Sequence, residues 1–438
     1  MRFGSPAAHR RAFALAWPLI LANVTVPLVG AVDTAVLGHL PEAHFLGAAA
    51  LGGVIFSLLY YSFAFLRTGT TGPVAQARGA GDFAEVKATL YRALMIALGV
   101  GIALIVLQAP IGWIAFRILA GSPEVVDAAK LYFAIRVWGA PAVLANFVLL
   151  GWFLGLENAR IGLLLQIVIN LVNLALCLLF VFGLGMTIEG VAGATAAAEY
   201  GGAAVGLAIA ARTVARMQGH VDKGRLLDRA RILRLVALNR DIFIRTVLVI
   251  LCFSSFTAVG ARFGELTLAA NAVLMSFNTF MAFALDGFAQ AAETLVGRAI
   301  GARDRTELDD CLGATFVLSA AVAVAFTLVY GFGGPLIVAM LTDLPAVREE
   351  AFRYLPWAAA MPIVAVWSFQ LDGVFWGAAR GPDMRNMMLI SAACFALAAW
   401  IAVPRLGNDG LWLAIYVFLI ARAATLGWRL PAVLRSVR

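Results

Sequence analysis

The residue whose placement most demands a chemical role is an acid inside an apolar run. Residues 11–40 read R-A-F-A-L-A-W-P-L-I-L-A-N-V-T-V-P-L-V-G-A-V-D-T-A-V-L-G-H-L, and Asp33 is the single acid among them. About 20 apolar residues cross a bilayer. Asp33 therefore falls within a spanning segment, where a carboxylate costs roughly 2.5–3.5 kcal/mol on insertion scales. Such a group has to be paired, protonated or in contact with water. Burial opposes its charged form, so it can load a proton at one face of the membrane and release it at the other. The plainer alternative is a carboxylate locked permanently to a buried arginine. Pro18 and Pro27 share the run. Each removes a backbone donor and crowds the preceding turn, which predicts a helix that bends.

Other polar groups recur inside apolar stretches. In Q-I-V-I-N-L-V-N-L-A-L-C, Gln166, Asn170, Asn173 and Cys177 are spaced four, three and four apart. That spacing puts them on one helix face. They form either one wall of a proton pocket opposite Asp33 or interhelical hydrogen bonds worth roughly 0.6 kcal/mol each. Thr195 is a further candidate, although a threonine commonly bonds its own helix backbone. Asp286, Glu293 and Asp372 lie in the eighth and tenth apolar spans, and Arg67, Glu199 and Arg136 in the second, sixth and fourth. Intramembrane charges mostly pair with each other. The sharper reading has Asp286 or Asp372 binding an organic cation or a second proton. Phe56, Phe63, Phe153, Met275, Phe280 and Met281 could line a cavity, since aromatic faces attract organic cations and thioethers adapt to varied ligands. Each alone suits lipid contact or packing equally well.

The elements that position these residues follow from composition. The chain is 62% hydrophobic and 13% charged, against about 25% charged in a soluble domain. The class is an all-α polytopic membrane protein. Twelve spans are expected near 11–40, 45–77, 88–116, 124–155, 159–183, 188–214, 236–262, 266–297, 308–341, 347–378, 386–404 and 410–432. The first is read as an uncleaved helix, because it is too long for a signal-peptide core. With the N-terminus inside, loops on that side carry about 23 Lys/Arg against about 5 outside, which places both termini in the cytoplasm. The net charge of +8 is therefore a matter of orientation, not of nucleic-acid binding. The four cysteines and four histidines show no metal-ligand or disulfide spacing. No cofactor is expected. G-K-[ST], H-E-x-x-H and G-x-S-x-G are all missing, which argues against an enzyme.

The halves repeat. Gly79, Ala80, Asp82 and Glu85 match Gly301, Ala302, Asp304 and Glu307, and Gly155 matches Gly377, at one constant offset. Six spans per repeat give two six-helix lobes of the same orientation, related by a pseudo-twofold axis along the membrane normal. The expected organisation is an N-terminal lobe over 1–217, a basic amphipathic cytoplasmic linker over 218–235 lying on the membrane surface, and a C-terminal lobe over 236–438. Transporters built this way place substrate between the halves and alternate access.

Four motifs carry a family resemblance: V-D-T-A-V-L-G-H-L after Ala31, R-T-G-T-T-G-P-V-A-Q-A-R-G-A-G-D from Arg67, A-L-D-G-F-A-Q-A-A-E-T-L-V-G-R-A-I-G from Ala284, and L-D-G-V-F-W-G-A-A-R from Leu371. In this order they resemble the multidrug and toxic compound extrusion (MATE) transporters, and most closely the branch named for the DNA-damage-inducible F protein. The resemblance covers nearly the whole chain. It implies two six-helix lobes in a V around a central cavity, and export of organic, often cationic, compounds in exchange for H+ or Na+. It makes Asp33 the coupling acid and Pro18 the support for helix bending, with Asn173 and Thr195 as partners. Where the family carries a second Asp, this chain has Cys177. A thiol is a poor ligand for a hard cation, so the balance favours H+ over Na+. Branches with acids on helices seven and ten do not match: Glu265 is at a span end, and Asp372 belongs to L-D-G.

The expected protein is thus a secondary antiporter, a monomer in a bacterial-type inner membrane, with a small organic substrate and the bilayer as its partners. A flippase for lipid-linked sugars is the competing carrier. It should carry several cavity Arg or Lys, and few basic residues are read within the spans. An intramembrane enzyme and a non-transporting scaffold fit less well, the latter because buried acids are costly to keep.

Overall fold

The structure is a computed structural model that describes residues 3–38, 42–118, 122–221 and 223–437. His39 and Leu40 of the first motif lie outside the described residues. Twelve helices are long and apolar enough to cross a membrane. They are α1 (Pro6–Leu37), α2 (His44–Gly79), α3 (Phe83–Val106), α4 (Pro123–Gly155), α5 (Ala159–Gly183), α6 (Ile188–Arg216), α7 (Gly224–Phe263), α8 (Glu265–Ala302), α9 (Arg305–Leu341), α10 (Pro345–Gly377), α11 (Gly381–Leu406) and α12 (Asn408–Arg435). No strand occurs among the described residues. The protein is an all-α, multi-pass membrane protein.

Three helices of the first half are irregular. The helix of α2 breaks after Tyr61 and resumes at Phe65. In α4, a 3₁₀ turn at Val137–Gly139 separates Pro123–Arg136 from Ala140–Gly155. In α5, the α-helix ends at Cys177 and continues as a π-helix over Leu178–Gly183. Such π-turns gather at functional sites. The helix of α1, by contrast, runs on through Pro18 and Pro27.

The internal repeat is physical. A Cβ on Gly151 or Gly155 of α4 would meet Arg67 O at 2.3 Å or Thr71 O at 2.8 Å, both backbone atoms of α2. At the repeat positions on α10, a Cβ on Gly373 or Gly377 would meet Ala289 O at 2.1 Å or Glu293 O at 2.2 Å on α8. Four residues apart, these glycines let backbone meet backbone, as small-residue helix contacts in membranes do. The loop acids match as well: Asp82 accepts from Glu85 N at 3.0 Å, and Asp304 accepts from Glu307 N at 2.9 Å, each capping the helix that follows.

Contacts gather the chain into two units. One comprises Leu21–Ile232. The other joins residues up to Ile20 to Leu233 and beyond. The division does not fall at residue 217; it passes through uninterrupted helical stretches of α1 and α7, after Ile20 and after Ile232. The start of α1 belongs with the second repeat because it is packed and pinned there. Ala8, Ala12, Leu15 and Ala16 are buried, and Gly287 on α8 leaves room for Ala16 and Ile20. Ser5 donates to Asp310 through N at 2.5 Å and Oγ at 2.6 Å, and Arg11 pairs with Glu307 at 2.7 Å. The rest of α1 packs in the other unit, with Val36 and Leu37 in a core that includes Phe56, Tyr132, Phe133, Val181 and Val191.

The segment between α6 and α7 is not one surface helix. It is helical over Lys223–Leu226, breaks, and restarts at Arg229 as part of α7. Asp228 sets the break, since its Oδ1 accepts from Ala230 N at 2.9 Å and Arg231 N at 3.2 Å. The segment is bound to the first repeat. Lys87 donates to Met217 O and Gly219 O at 2.8 and 2.9 Å, Arg225 pairs with Asp82 at 2.7 Å, and Arg231 pairs with Glu85.

Candidate functional site

The Asp33 carboxylate is 5% exposed and sits within the unit Leu21–Ile232. Asn173 Nδ2 donates to Oδ1 at 3.3 Å, Thr195 Oγ1 to Oδ2 at 3.1 Å, and Cys177 Sγ lies 3.7 Å from Oδ1. Asn173 Nδ2 is also 3.1 Å from Thr195 Oγ1. Asp33 therefore faces protein, and forms no ion pair with a basic side chain among the described residues. Burial and these hydrogen bonds act on its charge in opposite senses. Such a balance suits a group that must hold a proton in one state and release it in another.

Local structure explains who donates. The periodicity of α5 brings Gln166, Asn170, Asn173 and Cys177 to one face. Gln166 donates to Asn170 at 3.2 Å, and Asn170 donates to Thr25 O on α1 at 3.1 Å. The stripe thus holds α1 at two levels, the backbone two residues before Pro27 and the carboxylate at Asp33. Cys177, the last α-helical residue before the π-turn, ends the stripe. Thr195 also lies 3.0 Å from Val191 O. Its single proton serves either that carbonyl or Asp33, so the hydroxyl can release the carboxylate without losing a partner. Asn173 Oδ1 is buried with no hydrogen-bond partner among the described residues.

The repeat does not duplicate this site. Ser255, Phe395, Val417 and Ala399 occupy the positions matching Asp33, Asn173, Thr195 and Cys177. The Asp33 cluster is therefore confined to the first repeat.

The other charges fall into two groups. Asp372 is 1% exposed, and its Oδ2 accepts from both Arg245 and Arg422. Arg245 also stacks over Trp376 at 5.3 Å and Arg422 over Phe369 at 5.5 Å. A carboxylate held by two guanidiniums is a structural ion cluster of α7, α10 and α12, ill suited to capturing an organic cation. Neither arginine was singled out in the sequence, although both lie inside its apolar spans seven and twelve. Glu293 is fully buried, while Asp286 and Arg67 are half-buried. Arg136 and Glu199 line one small cavity with Tyr60, Gly139, Val143, Thr195 and Ala196.

Of the aromatic and thioether candidates, Phe56 stacks on Phe133 at 5.4 Å and is 1% exposed. Phe153 packs against Trp152, and Met281 is fully buried in the core of the other unit with Met275 beside it. Phe63 lies at the break in α2, 5.8 Å from Phe65, and Phe280 is 54% exposed. Among the described residues, no cluster of His, Cys, Asp and Glu could hold a metal ion.

The family model MatE matches residues 18–179 and 242–402, one stretch in each repeat. The chain is 44% identical over 420 residues to the DNA damage-inducible protein F of Escherichia coli (strain K12), covering 95% of this chain and 91% of the relative. It is 26% identical to the probable multidrug resistance protein NorM of Caulobacter vibrioides, covering 95% and 91%. Its fold superposes on a crystal structure of MATE in the bent conformation with a TM-score of 0.89 at 18% identity, covering 98% of this chain and 97% of the other.

Proposed function

We propose, on the premise that this chain belongs to the MatE family of multidrug efflux transporters, that it is a secondary antiporter exchanging organic, often cationic, compounds for H+. The observation that carries this reading is the environment of Asp33: a buried acid on a proline-containing helix, bound by Asn173, Thr195 and Cys177 and in no ion pair among the described residues. When Asp33 takes a proton it gains a donor, and Asn173 Oδ1 is a buried acceptor in need of one. Protonation then exchanges an accepted hydrogen bond for a donated one without leaving a polar atom bare. The α5 contacts to α1 rearrange, and the turn beyond Pro27 moves with them.

Na+ is less well served. A hard cation requires several oxygen ligands, and Cys177 offers sulfur where a second carboxylate would complete the set. Export by alternating access, the bacterial inner membrane, cytoplasmic termini and a monomeric state belong to the same proposal.

Reconstituted vesicles decide it. With the protein inserted and a fluorescent organic cation inside, an imposed pH gradient should drive efflux and an equal Na+ gradient should not. Asp33→Asn should abolish the proton-driven component. Undiminished proton dependence in that variant would overturn the mechanism.

A further inference from the structure

The coupling site does not end at Thr195. One helical turn further along α6 lies Glu199, and the two residues share a face. Between them opens a small cavity to which Tyr60, Arg136, Thr195 and Glu199 bring polar groups and Gly139, Val143 and Ala196 apolar ones, with room for about one water molecule. Glu199 Oε2 accepts from Asn146 Nδ2 at 2.8 Å. Arg136 donates to the Tyr132 hydroxyl, stands over the rings of Phe56 at 4.9 Å and Tyr132 at 5.4 Å, and leaves its Nε buried without a hydrogen-bond partner among the described residues. No ion pair joins Arg136 to either acid among the described residues. The cation stands within electrostatic reach of both Asp33 and Glu199.

Two carboxylates and one guanidinium form an odd charge set. With both acids ionised the cluster carries −1, with one proton it is neutral, and with two it carries +1. A low-dielectric interior favours the neutral composition, so the first proton is shared by the pair and the two acids titrate together. The remaining titratable groups around the cavity are the phenol of Tyr60, which lines it, and those of Tyr132 and Tyr200 within electrostatic reach of Tyr60; Tyr200 donates to Trp138 O at 2.8 Å. Cys177 adds a thiol on the Asp33 side. None of these carries a compensating negative charge at neutral pH.

We propose that Glu199 is a second proton-exchanging carboxylate of the coupling site, joined to Asp33 through the Thr195 hydroxyl and sharing the Arg136 charge with it. It occupies the role left open where Cys177 stands in place of the family's second acid. In the transfer step, protonated Asp33 gives its proton to the Thr195 oxygen, and the Thr195 proton passes to water in the cavity. The water in turn protonates Glu199. Asp33 ends as carboxylate, Glu199 as carboxylic acid, and Thr195 and water are unchanged. This inference rests on the proton-coupled reading above.

The test is proton release on substrate binding. Detergent-purified wild type and Glu199→Gln are titrated with a fluorescent organic cation in weakly buffered solution containing a pH indicator. Glutamine still accepts from Asn146, so a purely structural role survives the change. The expected result is about one proton fewer released per substrate bound by Glu199→Gln, and a displaced pH profile of efflux. Wild-type proton release and an unmoved profile in Glu199→Gln would overturn the proposal. Should the Gln variant fail to fold, Glu199→Asp keeps the charge but shortens the reach. It should keep the proton count and displace the pH profile, and an unmoved profile there would overturn the proposal equally. If wild type itself releases no protons and runs on a Na+ gradient, the coupling reading fails. If wild type is proton-driven and both variants behave like it, only Glu199 is excluded.

Discussion

The backbone contact at Gly373 makes a quantitative prediction. In Gly373→Ala the added methyl would stand 2.1 Å from Ala289 O, 2.8 Å from Ala289 C and 2.9 Å from Ala289 Cα. All three are backbone atoms of α8, so no side chain can swing aside. The helices must part by about 1 Å in a close-packed interior. Overpacking of this kind costs about 1–3 kcal/mol, and the helical preference of Ala over Gly returns about 0.5–1 kcal/mol. At the midpoints of these ranges the net loss is about 1 kcal/mol. At about 2–4 °C per kcal/mol for a body of this size, melting should fall by roughly 2–4 °C. The assay is thermal denaturation of purified protein, read as the monodisperse fraction on gel filtration. Gly99→Ala is the control, because a Cβ there meets nothing within 4 Å, and it should melt at or slightly above wild type. Gly151→Ala, at the repeat position and 2.3 Å from Arg67 O, should behave like Gly373→Ala. If Gly373→Ala melted with Gly99→Ala, the small-residue contact would not be what closes α8 on α10.

Three further outcomes are expected. Thr195→Val removes the hydroxyl that joins Asn173 to Asp33. A hydrogen bond to a charged group is worth about 1.5–3 kcal/mol, so half-maximal efflux should move by about one to two pH units while expression is retained. Asp372→Asn removes the carboxylate that the Arg245 and Arg422 guanidiniums share and should cost about 3–5 kcal/mol, seen as lost thermal stability; Arg422→Lys, which keeps the charge, should cost less. Asp82 governs an acid-sensitive joint. Burial acts to raise its carboxyl, but the hydrogen bond from Arg225, the Glu85 amide and the charges of Arg225 and Arg231 outweigh it and hold it below the ordinary range. The tether is therefore fully present above the unfolded-state value of about 4, and is lost as pH falls through the lower folded value. Protease cleavage between α6 and α7 should rise on acidification, and Asp82→Asn should be cleaved readily at every pH.

Much of this molecule is legible in one dimension. The twelve helices follow from apolar length, and the constant offset pairs Gly155 with Gly377 without saying what either glycine meets. Asn170, Asn173 and Cys177 declare a common face by spacing alone, because a face depends only on helical period. What that face meets is a tertiary fact. Spacing could not say that Asn170 reaches Thr25 O, or that Thr195 serves both Asn173 and Asp33; family resemblance supplied the second grouping. Arg245 and Arg422 carry no pairing signal in the sequence, since Arg240 and Asp241 precede the first and Arg429 follows the second, and only packing brings the two to Asp372. The interruption in α4 is marked by Gly139 and Pro141, whereas those in α2 and α5 carry no comparable proline signal. The allegiance of residues up to Ile20 to the second repeat was hidden because the apolar run passes through Pro18 without a break in composition.

That allegiance has a consequence for how the protein is made. The first turns of α1 leave the ribosome early, yet Ala12, Leu15 and Ala16 find their neighbours, and Arg11 and Ser5 their acids, only in chain emerging after Leu233. At about 5–20 residues per second, roughly 10–40 s of synthesis separates the two. During that interval the leading helix waits in the bilayer beside whatever the insertion machinery offers it. A nascent chain arrested anywhere in the first half therefore exposes an unfinished helix to quality control, however well its other helices have assembled.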